Sequence, residues 1–171
     1  MNDSLAVSLQ NIVDFPSRQR ITREITSLIE KNGYDKNDID FYIEHNRNGT
    51  INNVLTIYDK DTKNFYSFHI PKNYPFNPPK LIINGKPYLH YLKITSDIFK
   101  SELYRYSKTD CFCCSSLLCN ANWTPVKSII NIIQEFNSYR NICKKIYFNL
   151  IVNKLKKKYL IDNINILEWL Y

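Results

Sequence analysis

The sequence predicts an α+β domain with an N-terminal helix, a four-stranded antiparallel meander and C-terminal helices. Three observations carry that prediction. Apolar residues recur at helical spacing around Ile21–Ile29 and again beyond Trp123. Between these stretches they fall in short β-prone runs divided by turns too brief for a parallel crossover. At 171 residues, with 44% hydrophobic and 23% charged side chains, the chain can bury a core without covalent staples.

The elements follow in chain order. Residues 1–16 read as an N-terminal extension, 17–160 as the core and 161–171 as a tail, with the spacing of a short helix at Ile164–Leu170. Asp14 and Pro16 mark a helix start, since proline at the first turn sacrifices no hydrogen bond. Ile21, Ile25, Leu28 and Ile29 form one apolar stripe opposite Arg20, Arg23 and Glu24, and Asn32-Gly33 ends the helix. Strands are expected at Asp40–His45, Asn53–Tyr58, Phe65–Ile70 and Lys80–Ile83, with turns at Asn48-Gly49, Asp59–Asp61 and Asn84-Gly85. Pro71–Lys80 holds four prolines within its first nine residues, a stiff connection pinned by Tyr74 and Phe76. Beyond Trp123, Val126, Ile129, Ile130 and Ile133, then Ile142, Ile146, Leu150 and Ile151, predict two helices.

Composition excludes several classes. Three glycines and no phosphate-loop motif argue against nucleotide binding through a glycine-rich loop. No apolar run is long enough to span a membrane, and the N-terminus lacks the pattern of a secretory signal, so a reducing compartment, cytoplasmic or nuclear, is expected. No cofactor is implied. The whole +7 excess lies in Asn137–Ile161, which has seven basic residues and no acid. That stretch reads as a solvated helix face or as a site for an acidic partner, a nucleic acid or an anionic membrane.

Four of the five cysteines, Cys111, Cys113, Cys114 and Cys119, crowd into nine positions. Such crowding suits a disulfide scaffold poorly, because the loops it closes are short. Zinc is one reading, although paired CxxC spacing is missing and no metal is assigned. Cys143, alone on its helix, reads as a buried apolar residue. His45, His69 and His90 read as structural.

The run Phe68-His69-Ile70-Pro71-x-x-Tyr74-Pro75-Phe76-x-Pro78-Pro79-Lys80 resembles the signature of ubiquitin-conjugating enzymes. Cys114-x-x-Leu117-Leu118 followed by Trp123-Thr124-Pro125 is similar to that family's active-site segment, and Arg20-Ile21-x-Arg23-Glu24-Ile25 to its first helix. The resemblance implies that Cys114 carries ubiquitin or a ubiquitin-like modifier as a thioester and hands it to a ligase cysteine or a substrate lysine. Cys113 is the alternative nucleophile. Partners implied are the modifier, its activating enzyme and a ligase. Arg20, Arg23, Phe76, Pro125 and Val126 would form the contact surface.

Three departures separate the chain from that pattern. Only His90-Tyr91-Leu92 stands where His-Pro-Asn is usual, so the oxyanion-stabilising asparagine is missing, with Asn120 and Asn122 as nearby substitutes. Lys93–Asp110 is an insertion in which Ile94, Ile98 and Leu103 predict a small helix. The stretch after Phe136 is basic where the family commonly has acidic and proline-rich residues. A second reading follows: a catalytically inactive variant of the same fold acting as a ubiquitin- or ligase-binding adaptor. A third, resting on charge alone, is a nucleic-acid-associated adaptor.

Overall fold

The computed structural model describes residues 18–45, 51–109 and 111–159. The predicted helix start at Asp14 and Pro16, the Asn48-Gly49 turn and the tail at 161–171 lie outside the described residues. The fold is α+β, in the predicted order. Helix α1 spans Arg18–Asn32, and a single 3₁₀ turn spans Lys36–Asp38. Strands follow as β1 Ile39–His45, β2 Ile51–Asp59, β3 Asn64–Ile70, β4 Lys80–Ile83 and β5 Lys86–Pro87. Helices α2 Tyr88–Leu92, α3 Asp97–Ser107, α4 Phe112–Ser115 and α5 Ile129–Tyr159 complete it.

The sheet is an antiparallel meander in chain order, with five strands rather than four. Asn84-Gly85 does not simply close β4. Both residues adopt positive φ (48° and 76°), the conformation of a two-residue hairpin turn, and this folds Lys86–Pro87 back onto Ile82 and Ile83. The register stacks two apolar rows across the inner face. Phe41, Leu55, Phe68 and Leu81 are successive cross-strand partners, as are Ile39, Ile57, Tyr66 and Ile83, and all eight are buried.

Two compact units make up the chain. Among the described residues, the first holds those from 18 to 93 together with Phe112–Glu135, and the second holds those from 94 to 111 together with 136 to 159. In the first unit, Ile21, Ile25 and Leu28 of α1 are buried as their spacing predicts, and Gly33, at φ 71°, lets Tyr34 N–H close onto the Leu28 carbonyl. Glu24 is a correction. It sits in the buried stripe rather than opposite it, 7% exposed. Its Oε1 accepts from Tyr74 Oη and Arg20 Nε, each at 2.5 Å, and its Oε2 accepts from Ile129 N at 2.9 Å. A carboxylate on α1 thus caps the start of α5, where the helix dipole favours negative charge.

Burial, then the adjacent Glu24 carboxylate, pushes the Tyr74 phenol well above its ordinary value of 10.0. Burial, then Asp59, acts likewise on Tyr34. Because these pKa values are raised in the folded state, their contribution is complete below pH 10 and is lost as pH rises toward the folded values. Urea unfolding is therefore expected to give constant stability through neutral pH and a decline above pH 10. Tyr74 alone accounts for about 1.4 kcal/mol per pH unit, and Tyr74→Phe should flatten that slope.

The second unit carries the predicted insertion helix, now α3. Its buried residues are Phe99 and Leu103, whereas Ile98 is 66% exposed. Ser96 caps it by accepting from Phe99 N. Phe99 packs on Tyr147 (ring centroids 4.9 Å apart) and Tyr106 Oη accepts from Asn149. The two helices predicted beyond Trp123 are one, the 31-residue α5. Asn137-Ser138-Tyr139-Arg140 contains neither proline nor glycine, so nothing in it terminates a helix once flanking turns are packed. Among the described residues, no helix is long and apolar enough to cross a membrane.

Candidate functional site

The first unit places the proline segment and the cysteine segment side by side. The Pro71–Lys80 connection is tightened by Tyr74 N–H on the Pro71 carbonyl (3.0 Å) and Phe76 N–H on the Asn73 carbonyl (2.9 Å), and its Tyr74-Pro75 peptide is cis. Trp123 Nε1 donates to the Pro75 carbonyl at 2.7 Å, and the Trp123 and Tyr74 rings lie 6.1 Å apart. One indole hydrogen bond therefore staples two loops that are 48 residues apart in sequence. The residues just beyond the staple point outward: Phe76 is 74% exposed, Val126 is 84% exposed and Pro125 is exposed. Of the two sequence readings of Phe76, pinned core or surface anchor, the structure has the surface one. Tyr74 alone is the buried pin.

Arg23 is exposed on α1. Arg20 is engaged within the chain, paired with Glu24 and donating from Nη2 to the Lys127 carbonyl at 2.8 Å. Its burial disfavours the charge, but the Glu24 carboxylate outweighs that and the pKa is raised.

A groove of about 990 Å³ runs between the proline segment and the cysteine segment. Its walls include His69, Pro78, Pro79, Tyr88, Cys113 and Cys119; Cys114 is not among them. Cys114 sits in α4, exposed, as a free thiol with its Sγ 3.9 Å from that of Cys113. Cys113 is disulfide-bonded, as is Cys111, while Cys119 and Cys143 are free. This corrects the expectation that the crowded cysteines stay unpaired. A bridge across so short a loop removes little chain entropy and so leaves almost no trace in a stability argument. In this oxidised form Cys114 is the one free thiol of Cys111, Cys113 and Cys114. Burial pushes the Cys143 thiol up.

The turn after Cys114 is braced by Glu135, which sequence reasoning did not select, and by Asn122, which it selected for a different role. Glu135 accepts from Leu117 N at 2.7 Å, from Ser116 Oγ at 3.1 Å and from Tyr88 Oη at 2.8 Å. It is the sole acid of α5, and that isolation was the available signal. Asn122 Nδ2 donates to the carbonyls of Cys114 (2.7 Å) and Ser116 (3.0 Å). Both amide hydrogens are thereby used on backbone, leaving none to stabilise an oxyanion. Asn120 is exposed at the groove wall. His90 is exposed on α2, with its ring edge-on to Tyr91 (5.5 Å).

No family model matches the sequence, and no curated protein matches it. Among solved structures, the chain is similar to a complex of the Vps23 UEV with ubiquitin, at 15% identity and a TM-score of 0.45, over 79% of this chain and 91% of that one.

Proposed function

We propose that this protein is a docking module of the ubiquitin system that presents Phe76, Pro125 and Val126 to a ligase or a modifier. The observation that carries the reading is the Trp123–Pro75 staple, which fixes two loops together and leaves a large aromatic and an aliphatic side chain facing solvent beyond it. Largely exposed apolar side chains on a rigid frame are what a protein interface uses as anchors. The commitment of Asn122 to backbone carbonyls supports a binding role over a catalytic one.

Thioester carriage on Cys114 is the second reading, favoured by its exposed free thiol. There the Cys114 thiolate would attack the thioester carbonyl on an activating enzyme and expel that enzyme's cysteine thiolate. Residence in the cytoplasm or nucleus suits both readings, since a reducing milieu would open the Cys111 and Cys113 bridge.

Titration of ubiquitin and of a ubiquitin ligase domain against the full chain tests the proposal. Phe76→Ala and Val126→Asp should each weaken binding about 30-fold, corresponding to roughly 2 kcal/mol per anchor, with unchanged melting temperatures. Binding that is unaffected in both variants overturns it. Incubation with activating enzyme, ATP and ubiquitin separates the two readings. A docking module gives no adduct on a non-reducing gel. A reductant-sensitive adduct that Cys114→Ser abolishes, and that Cys113→Ser and Cys119→Ser leave intact, assigns carriage to Cys114.

A further inference from the structure

The anchor surface also carries a sign. Residues 20–24, 71–79 and 123–128 supply the staple, its support and the anchors; their bases are Arg20, Arg23, Lys72 and Lys127, and their one acid is Glu24. That acid is buried and spent on Tyr74, Arg20 and the first amide of α5. Arg20 is spent as well, held between Glu24 and the Lys127 carbonyl. Arg23 and Lys72 are exposed and Lys127 is half-buried, and among the described residues none of the three forms an ion pair. By contrast, Lys60 pairs with Asp35 and Asp38, Lys100 with Asp97 and Arg105 with Glu102. Lys72 stands four residues before Phe76 in the same stiff connection, and Lys127 directly follows Val126. Arg23 is the chain neighbour of Glu24, whose carboxylate grips Tyr74 two residues before Phe76.

We infer that the partner of this surface is a folded protein domain whose apolar pocket is rimmed by carboxylates, drawn in by charge and retained by the anchors. The inference rests on the docking reading above and adds the sign of the partner. Uncompensated cations around an apolar patch speed encounter with an acidic surface and penalise a basic one. Desolvated apolar contact then sets the rate of escape. Pro125 and Val126 offer a nucleic acid base nothing to stack on, which favours a protein. The staple fixes the spacing of the anchors, and that saves ordering entropy only against a partner of matching shape, which a fluid bilayer is not. Arg20, expected in the contact set, is occupied within the chain, whereas Lys72 and Lys127 join Arg23 at the rim.

Stopped-flow kinetics of the full chain against two RING domains of ubiquitin ligases provide the test, one domain with carboxylates around its apolar groove and one with bases there. The acid-rimmed domain should associate about 100-fold faster at low salt. That advantage should vanish toward about 1 M salt, where charges act only within roughly 3 Å. Arg23→Glu with Lys72→Glu should slow association with the acid-rimmed domain about tenfold and leave dissociation unchanged. Both side chains are exposed, so the melting temperature should hold. Exchanging that domain's carboxylates for lysines should restore the rate with this variant, a rescue that a folding defect would not give. Phe76→Ala should instead speed dissociation about 30-fold and spare association. If Phe76→Ala changes neither rate, or neither domain binds, the docking reading fails and this inference with it. If Phe76→Ala speeds dissociation while the double charge reversal leaves association unchanged, the docking reading stands and the acidic rim is overturned. Equal association with both domains overturns the rim too, as does tighter binding to an oligonucleotide or to phosphatidylserine vesicles than to the acid-rimmed domain.

Discussion

Glu24→Ala is expected to lower the free energy of unfolding by about 3–5 kcal/mol, the sum of leaving a buried phenol and a buried amide without their acceptor. For a chain of this length that corresponds to a melting temperature about 10 °C lower. The carboxylate receives Tyr74 Oη, Arg20 Nε and Ile129 N–H. Without it, a buried phenol and the first amide of α5 lose their acceptor, and desolvated donors are expensive to leave unmade. Arg20 suffers least, because it keeps the Lys127 carbonyl. Glu24→Gln should recover part of the loss, since its amide oxygen can still accept while its NH₂ faces donors. A loss near 1 kcal/mol in differential scanning calorimetry would mean that the three contacts do not act as one unit.

The second large effect is expected at Glu135. Glu135→Ala should cost about 2–3 kcal/mol and should also free the turn that follows Cys114. Its carboxylate holds Leu117 N, Ser116 Oγ and Tyr88 Oη, bonds to a charged acceptor that are worth more than neutral ones. The diagnostic readout is alkylation of Cys119, a half-exposed free thiol on the groove wall. Its rate with iodoacetamide should rise in Glu135→Ala and stay near wild type in Glu135→Gln, which keeps an acceptor for Leu117. An alkylation rate unchanged in Glu135→Ala would show that the turn is held by Asn122 without help.

Much of the framework was legible because local periodicity and burial coincide. The alternation of Tyr66, Phe68 and Ile70 in β3 is the alternation of its inner face, and the Ile21, Ile25 and Leu28 stripe is the buried side of α1. What could not be read is what depends on partners distant in the chain. Glu24 looks like a surface acid until a phenol 50 residues away and an amide 105 residues away meet it. Continuity of α5 was hidden because two apolar stripes out of phase look like two helices. The two-residue β5 is too short to show any alternation. Of the candidate site, the choice of Phe76 and Val126, both exposed, came from resemblance, whereas the bracing by Asn122 and Glu135 emerged only from geometry.

The segment from Ser116 to Trp123 has consequences for recognition. It contains no helix or strand, yet five of its eight amides donate within the protein. Leu117 donates to Glu135, Leu118 to Ser116 Oγ, Cys119 to the Ser116 carbonyl, and both Asn122 and Trp123 to the Cys119 carbonyl. A loop held this way has much of its backbone fixed before anything meets it. Whatever binds against it loses little conformational entropy in ordering it, so discrimination there rests on fit and not on adaptability. Partners would be sorted by their dissociation rates rather than by how fast the loop can rearrange.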